Sequence, residues 1–183
     1  MTIWRLLPWV RGSRHTGPGG ALWFPRELQG AGRHDNPAQY GCVYAATQPV
    51  SVVAEALAPF RGAGTLAAAM LLRGGQQLAL VELALDDRCE LVGLDDPSVL
   101  TQIGLRPSQI ATNMRAVTQA WAQSIFDERR NAAGLIWWST LEASLMNVTV
   151  YDRAAPRLRF VDATPLTLAH PAVGEAADML GLI

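Results

Sequence analysis

Apolar residues recur along this chain in short runs, most of them bounded by Gly, Pro, Asp or Asn. Runs of about four to eight residues that are apolar or alternate between apolar and polar predict β-strands. They cover residues 3–10, 42–46, 78–85, 90–94, 134–139, 147–152 and 157–162. Strands therefore account for most of the predicted regular structure.

Helical periodicity predicts three main helices. The first covers residues 50–60 behind Pro49, the longest begins near Ser108 and ends near Arg129 and Arg130, and the last covers 170–182. The apolar face of the first helix contains Val52, Val53, Ala56, Leu57 and Phe60. The longest helix is predicted from a single stripe of Ile110, Met114, Val117, Trp121 and Ile125.

The order of these elements predicts an α+β fold, because strands outnumber helices and do not alternate strictly with them. We expect mostly antiparallel mixed sheets with flanking helices. The chain has 183 residues, of which 50% are hydrophobic and 17% charged, so it can bury a full core. No internal repeat or linker interrupts it, and a single domain over residues 1–183 is the expectation.

Net charge and hydropathy exclude several classes of function. The 15 basic and 16 acidic side chains give a net charge of −1, without the basic excess typical of nucleic-acid binding. We therefore expect no direct nucleic-acid binding. No apolar run reaches the roughly 18 residues of a membrane span, and the first residues do not resemble a signal peptide. A soluble, cytoplasmic protein is the expectation.

All 15 basic residues are Arg, and the chain contains no Lys. Walker A phosphate loops and Schiff-base enzymes require a Lys, so neither chemistry can operate here. The two Cys and three His residues lack the spacing of a metal site, and we expect neither a bound metal nor a disulfide. They are Cys42, Cys89, His15, His34 and His170.

One carboxylate has an unusual setting on the first predicted helix. Glu55 lies opposite the apolar face, and the residues three and four positions away carry no charge. Such a position is ordinarily a solvated surface charge. A lone Glu among small side chains is also typical of a helix face that lines a cleft. The pattern alone leaves both interpretations open.

Two blocks of sequence carry a resemblance to a known family. The first, GRHDNPAQYGCVYAATQPVSVVAEALAPF at 32–60, places Arg33, Tyr44 and Glu55 eleven residues apart in succession. The second is GLIWWSTLEASLMNVTVYD at 134–152. Together they resemble the signature of the RES domain family. The resemblance covers residues 4–152, and the predicted C-terminal strand and helix at 157–182 follow it.

The resemblance implies an ADP-ribosyltransferase-like fold and a specific activity. RES proteins known as toxins of bacterial toxin–antitoxin pairs destroy NAD by hydrolysis or phosphorolysis. NAD would then be a substrate, with inorganic phosphate as an alternative to water, and no prosthetic group is implied. A cognate antitoxin would be the protein partner. Two other functions stay open: transfer of ADP-ribose to a macromolecule, and partner binding without catalysis. Use of NADP as substrate and homo-oligomerisation also stay open.

The resemblance also implies roles for individual charged residues. Glu55 would stabilise the positive charge that develops on the ribose when the bond to nicotinamide breaks. Arg33 would bind the pyrophosphate, because the planar guanidinium pairs well with phosphate oxygens. A second family Arg lies on the first strand, where Arg5 matches best, with Arg11 and Arg14 as alternatives.

Uncharged residues complete the implied site. Tyr44 would stack on nicotinamide or ribose and offer its hydroxyl, and Ser139 would hydrogen-bond the nicotinamide ribose or a phosphate. Asn147 would open the last strand or organise the binding site. Two positions depart from the family pattern. His34 replaces a Phe or Trp and could add a titrating group, whereas the bulk of Trp138 could narrow the pocket.

Overall fold

A single eight-stranded sheet forms the framework of the computed structural model, which describes residues 1–182. The strands are β1 (Thr2–Pro8), β2 (Cys42–Ala46), β3 (Leu72–Arg73), β4 (Gln76–Leu85), β5 (Glu90–Gly93), β6 (Ala132–Trp138), β7 (Met146–Tyr151) and β8 (Leu158–Pro165). The helices are α1 (Pro49–Leu57), α2 (Pro97–Gln102), α3 (Pro107–Ala111), α4 (Arg115–Glu128) and α5 (Pro171–Leu180).

The sheet runs in the order β3, β4, β1, β2, β7, β6 and β5, and β8 pairs with β4 on the same side as β3. Within residues 1–182, every pair is antiparallel except β5 with β6. The α+β class, the mostly antiparallel sheet and the flanking helices are therefore confirmed. Each predicted strand is present, with ends shifted by at most a few residues.

Side chains alternate between the two faces of the sheet, as the strand pleat requires. In β1, Trp4 and Leu6 pack with α1 and α5 on one face, whereas Ile3 and Leu7 pack on the other. Helices α3 and α4 cover the same face as α1, but above β6 and β5. The gap between α1 and the start of α4 therefore opens over the middle of the sheet.

The predicted long helix from Ser108 is wrong, because it is two helices. The chain leaves helical geometry at Thr112, whose ψ is 147°, and α4 starts three residues later. Met114, which the apolar stripe placed inside, is 65% exposed. Ile110, Trp121 and Ile125 are buried as predicted.

Side-chain donors replace the helical hydrogen bonds at this break. One guanidinium nitrogen of Arg33 donates to the carbonyls of Ile110 at 2.8 Å and Thr112 at 2.7 Å. The indole of Trp121 donates to the carbonyl of Gln109 at 3.2 Å. Because backbone carbonyls need partners when buried, these bonds make an interruption of the helix tolerable. Periodicity cannot reveal it, since the donor Arg33 lies far away in sequence.

Helix α1 ends earlier than its apolar pattern predicts. Pro59 has no N–H to donate to the carbonyl of Glu55, so the α-helix ends at Leu57 and a 3-10 turn over Ala58–Phe60 follows. No helix within residues 1–182 is long and apolar enough to cross a membrane.

Two glycines provide a matched test of the sheet framework. A Cβ on Gly134 in β6 would lie 1.9 Å from the carbonyl oxygen of Thr149 in β7, whereas a Cβ on Gly174 in α5 would meet nothing within 4 Å. We expect Gly134→Ala to lower the free energy of unfolding by about 2 kcal/mol or more, as overpacking does. Gly174→Ala should raise it by roughly 0.5–1 kcal/mol, the helix-propensity difference.

Denaturant unfolding of both variants and the parent measures these changes. Equal stability of Gly134→Ala and the parent would contradict the close approach of β6 to β7.

Candidate active site

A cleft of about 380 Å³ lies between α1, the start of α4 and the middle strands of the sheet. Its volume is in the range of small-molecule sites. Its polar lining includes Arg33, Arg73, Arg115, Glu55, Tyr44 and Asn147. Within residues 1–182, Glu55 is the only carboxylate on this lining, so three cationic groups surround one anionic group.

Two hydrogen bonds hold the carboxylate of Glu55 at the cleft. The hydroxyl of Ser139 donates to its Oε1 at 2.7 Å, and the amide nitrogen of Asn147 donates to the same oxygen at 2.9 Å. Ser139 follows the end of β6 and Asn147 lies in β7, so both donors come from one antiparallel pair of strands and its connection. Glu55 itself is solvent-accessible, and its position is set by these buried partners.

Ser139 is only 2% exposed and lies behind Glu55. Its N–H donates to the carbonyl of Leu145 at 2.7 Å, and its hydroxyl oxygen accepts from the N–H of Leu141 at 3.1 Å. The hydroxyl proton is thereby free to point at Glu55. The structure therefore gives Ser139 a carboxylate partner within the protein. Its contact with ribose or phosphate stays a prediction.

Arg33 reaches the cleft from the loop before β2. Its carbonyl accepts from the hydroxyl of Thr118 in α4 at 2.6 Å, and one of its terminal nitrogens is bound by the helix break at Ile110 and Thr112. Burial lowers the pKa of Arg33, as does the charge of Arg115, whereas the charge of Glu55 raises it. The side chain stays protonated near neutral pH, because a guanidinium is a very strong base.

Asp35 organises the loop that carries Arg33. One carboxylate oxygen accepts from the backbone N–H groups of Gly30 and Gly32 at 2.9 and 2.7 Å. The other accepts from the hydroxyl of Tyr44 at 2.7 Å. Sequence reasoning did not single out Asp35; its place in a Gly-containing turn was the available signal.

The ring of Tyr44 lines the cleft, but its hydroxyl is used inside the protein. Besides donating to Asp35, the hydroxyl oxygen accepts from the N–H of His34 at 2.9 Å. Burial raises the pKa of Tyr44 well above its usual value, as do the thiol of Cys42 and the carboxylate of Asp35. Tyr44 is therefore a neutral phenol that fixes the loop and presents an aromatic ring to a ligand.

His34 is fully buried beneath the cleft. Its Nδ1 is 2.8 Å from the hydroxyl oxygen of Thr149, and its ring packs against Trp121 and Trp137 with centroid distances of 4.8 and 4.6 Å. Burial lowers its pKa well below 6.5, and the charges of Arg33 and Arg115 lower it further. The imidazole is therefore neutral at physiological pH and serves as an aromatic packing residue.

Trp137, rather than Trp138, lines the cleft. Successive residues of a strand face opposite sides, so only one of the two adjacent Trp residues at the end of β6 can point into it. The expectation that Trp138 narrows the pocket is corrected accordingly.

Arg5 lies apart from the other predicted site residues. It alternates with Trp4 and Leu6 along β1, shares the sheet face of Ile3, and does not line the cleft. Its guanidinium donates to the carbonyls of Ala21 and Trp23 at 2.9 and 3.0 Å. Burial lowers the pKa of Arg5 to about 10. In the structure, Arg5 therefore anchors the loop that contains Ala21 and Trp23.

Two arginines at the cleft were missed by the sequence reasoning. Arg115 is the first residue of α4, and Arg73 precedes the Gly74–Gly75 turn between β3 and β4. Both side chains are exposed, and neither forms a salt bridge with the described part of the chain. Arg115 lay inside the predicted long helix, where nothing indicated a helix start.

The described residues contain no group of three or more His, Cys, Asp or Glu side chains arranged to hold a metal ion. The chemistry available at the cleft is therefore that of one fixed carboxylate, guanidinium groups, an aromatic ring and amide or hydroxyl donors. Such a set suits a ligand that carries phosphate groups together with a centre that becomes positively charged.

Comparisons with known proteins concern the fold and the family of this chain. The fold resembles the crystal structure of the M. tuberculosis MbcT-MbcA toxin-antitoxin complex, with a TM-score of 0.68 and 17% identity over 98% of this chain and 88% of that chain. A search of curated proteins found no significant match. The sequence model of the RES domain matches residues 2–169, which is most of the chain. The chain therefore belongs to the RES domain family.

Proposed function

We propose that this protein is an NAD-consuming enzyme with an ADP-ribosyltransferase-like fold, acting as the toxin of a toxin–antitoxin pair. The observation that carries the proposal is the fixed carboxylate of Glu55, which lies in the same cleft as Arg33 and Arg115. Membership of the RES domain family supports the same assignment.

The proposed reaction breaks the bond between the nicotinamide nitrogen and C1′ of the ribose. Nicotinamide leaves as a neutral molecule with the bonding electron pair, and positive charge develops on the ribose ring. Glu55 would accept hydrogen bonds from the ribose hydroxyls and stabilise that charge, an interaction that strengthens in the transition state. Water or inorganic phosphate then bonds to C1′ and loses a proton, which yields ADP-ribose or its 1″-phosphate.

Arginine side chains would bind the pyrophosphate. The Nε and Nη2 groups of Arg33 make no hydrogen bond within residues 1–182, and Arg115 lies close enough to affect its pKa. The two guanidinium groups together match the two negative charges of a pyrophosphate. Arg73, which lines the cleft from β3, is a third cation for the same ligand. Arg5 has no role in this binding mode, because its guanidinium is held by loop carbonyls on the opposite face.

The remaining residues support this binding mode. The ring of Tyr44 would stack on nicotinamide or ribose, while its hydroxyl stays bound to Asp35. Ser139 and Asn147 would act through Glu55, whose carboxylate they orient.

An antitoxin is the proposed protein partner. The structurally similar chain described above was crystallised in a toxin–antitoxin complex. We extend that relationship to this chain and propose that it acts in the cytoplasm, where NAD is available. Complementary charge would favour an acidic partner surface at the arginine-lined cleft.

Product analysis tests the proposed activity. The purified protein is incubated with NAD, with and without inorganic phosphate, and the products are identified by chromatography and mass spectrometry. We expect free nicotinamide together with ADP-ribose or its phosphate. In a parallel incubation with NAD labelled in its ADP-ribose part and a cell extract as acceptor, label that stays attached to a macromolecule would instead indicate an ADP-ribosyltransferase. Unchanged NAD under all conditions would contradict the proposal and favour a silent binding domain.

Replacing Glu55 by Gln removes the negative charge and keeps the size of the side chain. We expect kcat for nicotinamide release to fall about 100-fold or more, comparable to the loss of one electrostatic group from other active sites. The KM for NAD should change little, because the charge acts mainly in the transition state. Glu175→Gln, at an exposed position of α5, is the matched control. Parental turnover in Glu55→Gln would remove Glu55 from its proposed role.

Replacing Arg115 or Arg33 by Ala tests the pyrophosphate site. We expect KM for NAD to rise roughly 10- to 100-fold, because a hydrogen bond to a charged group contributes about 1.5–3 kcal/mol. The value of kcat should change less, since a phosphate contact binds ground state and transition state alike. Arg33→Ala should also lower thermal stability, because the carbonyls of Ile110 and Thr112 lose their donor.

Arg159→Ala, exposed on β8, is the control for the loss of one positive charge. If both cleft variants kept the parental KM, the pyrophosphate would have to bind elsewhere.

A further inference from the structure

A buried hydroxyl in α1 lies one helical turn before Glu55. Ser51 is 0% exposed, and its Oγ donates to the amide oxygen of Asn147 at 2.9 Å. Asn147 is itself buried, with 6% exposure. Neither the sequence motifs nor the chemistry described above uses Ser51.

The bond from Ser51 fixes which way the amide of Asn147 points. With its oxygen bound to Ser51, the amide directs its nitrogen at Oε1 of Glu55. Rotation of the amide by half a turn would put its oxygen against the carboxylate, where two acceptors repel each other. Ser51 therefore favours the donating orientation.

The donors on Glu55 converge on one oxygen and leave the other open. Oε1 accepts from both Asn147 and Ser139, whereas Oε2 accepts no hydrogen bond from residues 1–182. A ligand in the cleft can therefore donate to Oε2 without displacing a protein group. The direction of Oε2 depends on both donors, since the loss of either lets the carboxylate rotate about its terminal torsion.

We propose that Ser51 is a positioning residue for the reaction, which acts through the amide of Asn147 to hold Oε2 of Glu55 toward the ligand. This inference rests on the proposed function, since the ligand is the ribose of NAD. Ser51 touches no substrate itself. Its effect passes through Asn147, so the two side chains form one functional unit with Glu55.

A double-mutant cycle tests this dependence. We expect Ser51→Ala to lower kcat for nicotinamide release about tenfold or more and to leave KM nearly unchanged, as small misplacements of a catalytic group do. In an Asn147→Ala background, the same change should lower kcat no further, because its effect is already lost. Ser124→Ala, an exposed position in α4, controls for a Ser→Ala change in a helix and should keep parental kcat.

Effects of Ser51→Ala and Asn147→Ala that multiply in the double variant would overturn the proposal, because Ser51 would then act independently of Asn147. Parental kcat in Ser51→Ala would overturn it as well. Circular dichroism and thermal unfolding identify a variant that has failed to fold. For such a variant, Ser51→Cys, which keeps the shape of the side chain at a slightly larger volume and weakens the donor, takes its place in the cycle.

A second readout separates this proposal from the proposed function. If the parent does not cleave NAD, the proposed function fails, but the orientation of Asn147 is still measurable by NMR. We expect the side-chain amide protons of Asn147, identified by their absence in Asn147→Ala, to exchange with water at least about tenfold faster in Ser51→Ala. Unchanged exchange would overturn the positioning role whatever the activity of the parent.

Discussion

The hydrogen bonds that Ser139 and Asn147 donate to Glu55 join helix α1 to the sheet at one carboxylate oxygen. Without them, an exposed Glu near the end of a nine-residue helix would sample many rotamers in water. With them, a negative charge has a fixed direction at the wall of a cleft. The cleft itself exists because α1 and α4 cover different parts of the same sheet face. Its chemistry therefore depends on a contact between elements that are far apart in sequence.

Arg33 links the packing of the helices to the cleft, because one side chain both binds backbone carbonyls and lines the cleft. One nitrogen closes the break between α3 and α4, and the rest of the guanidinium faces the cleft. The break places Arg115 at the start of α4, on the same cleft. The loop that carries Arg33 is held by Asp35, Tyr44 and the hydroxyl of Thr118. The positions of Arg33 and Arg115 at the cleft thus depend on how α4 packs. Loss of the Arg33 side chain would affect folding together with binding.

The sequence predicted most of the fold, because the strands are short apolar runs with clear turn residues at their ends. It also identified Glu55, Arg33 and Tyr44, which the structure brings to one cleft. Prediction from sequence failed where residues distant in sequence determine local structure. The break between α3 and α4 depends on hydrogen bonds from Arg33, and the hydroxyl of Tyr44 is bound by Asp35 rather than left for a ligand. Arg5 matched a motif position, but the pleat of β1 directs it to the opposite face. Neither periodicity nor spacing carries information about such long-range partners.

A crystal structure of the Glu55→Gln variant with NAD tests the central claim most directly, because slow turnover would preserve the bound dinucleotide. The account predicts the nicotinamide ribose within hydrogen-bond distance of the side chain at position 55. It also predicts the pyrophosphate against the guanidinium groups of Arg33 and Arg115. A dinucleotide bound on another surface, or in this cleft with its ribose far from position 55, would contradict it.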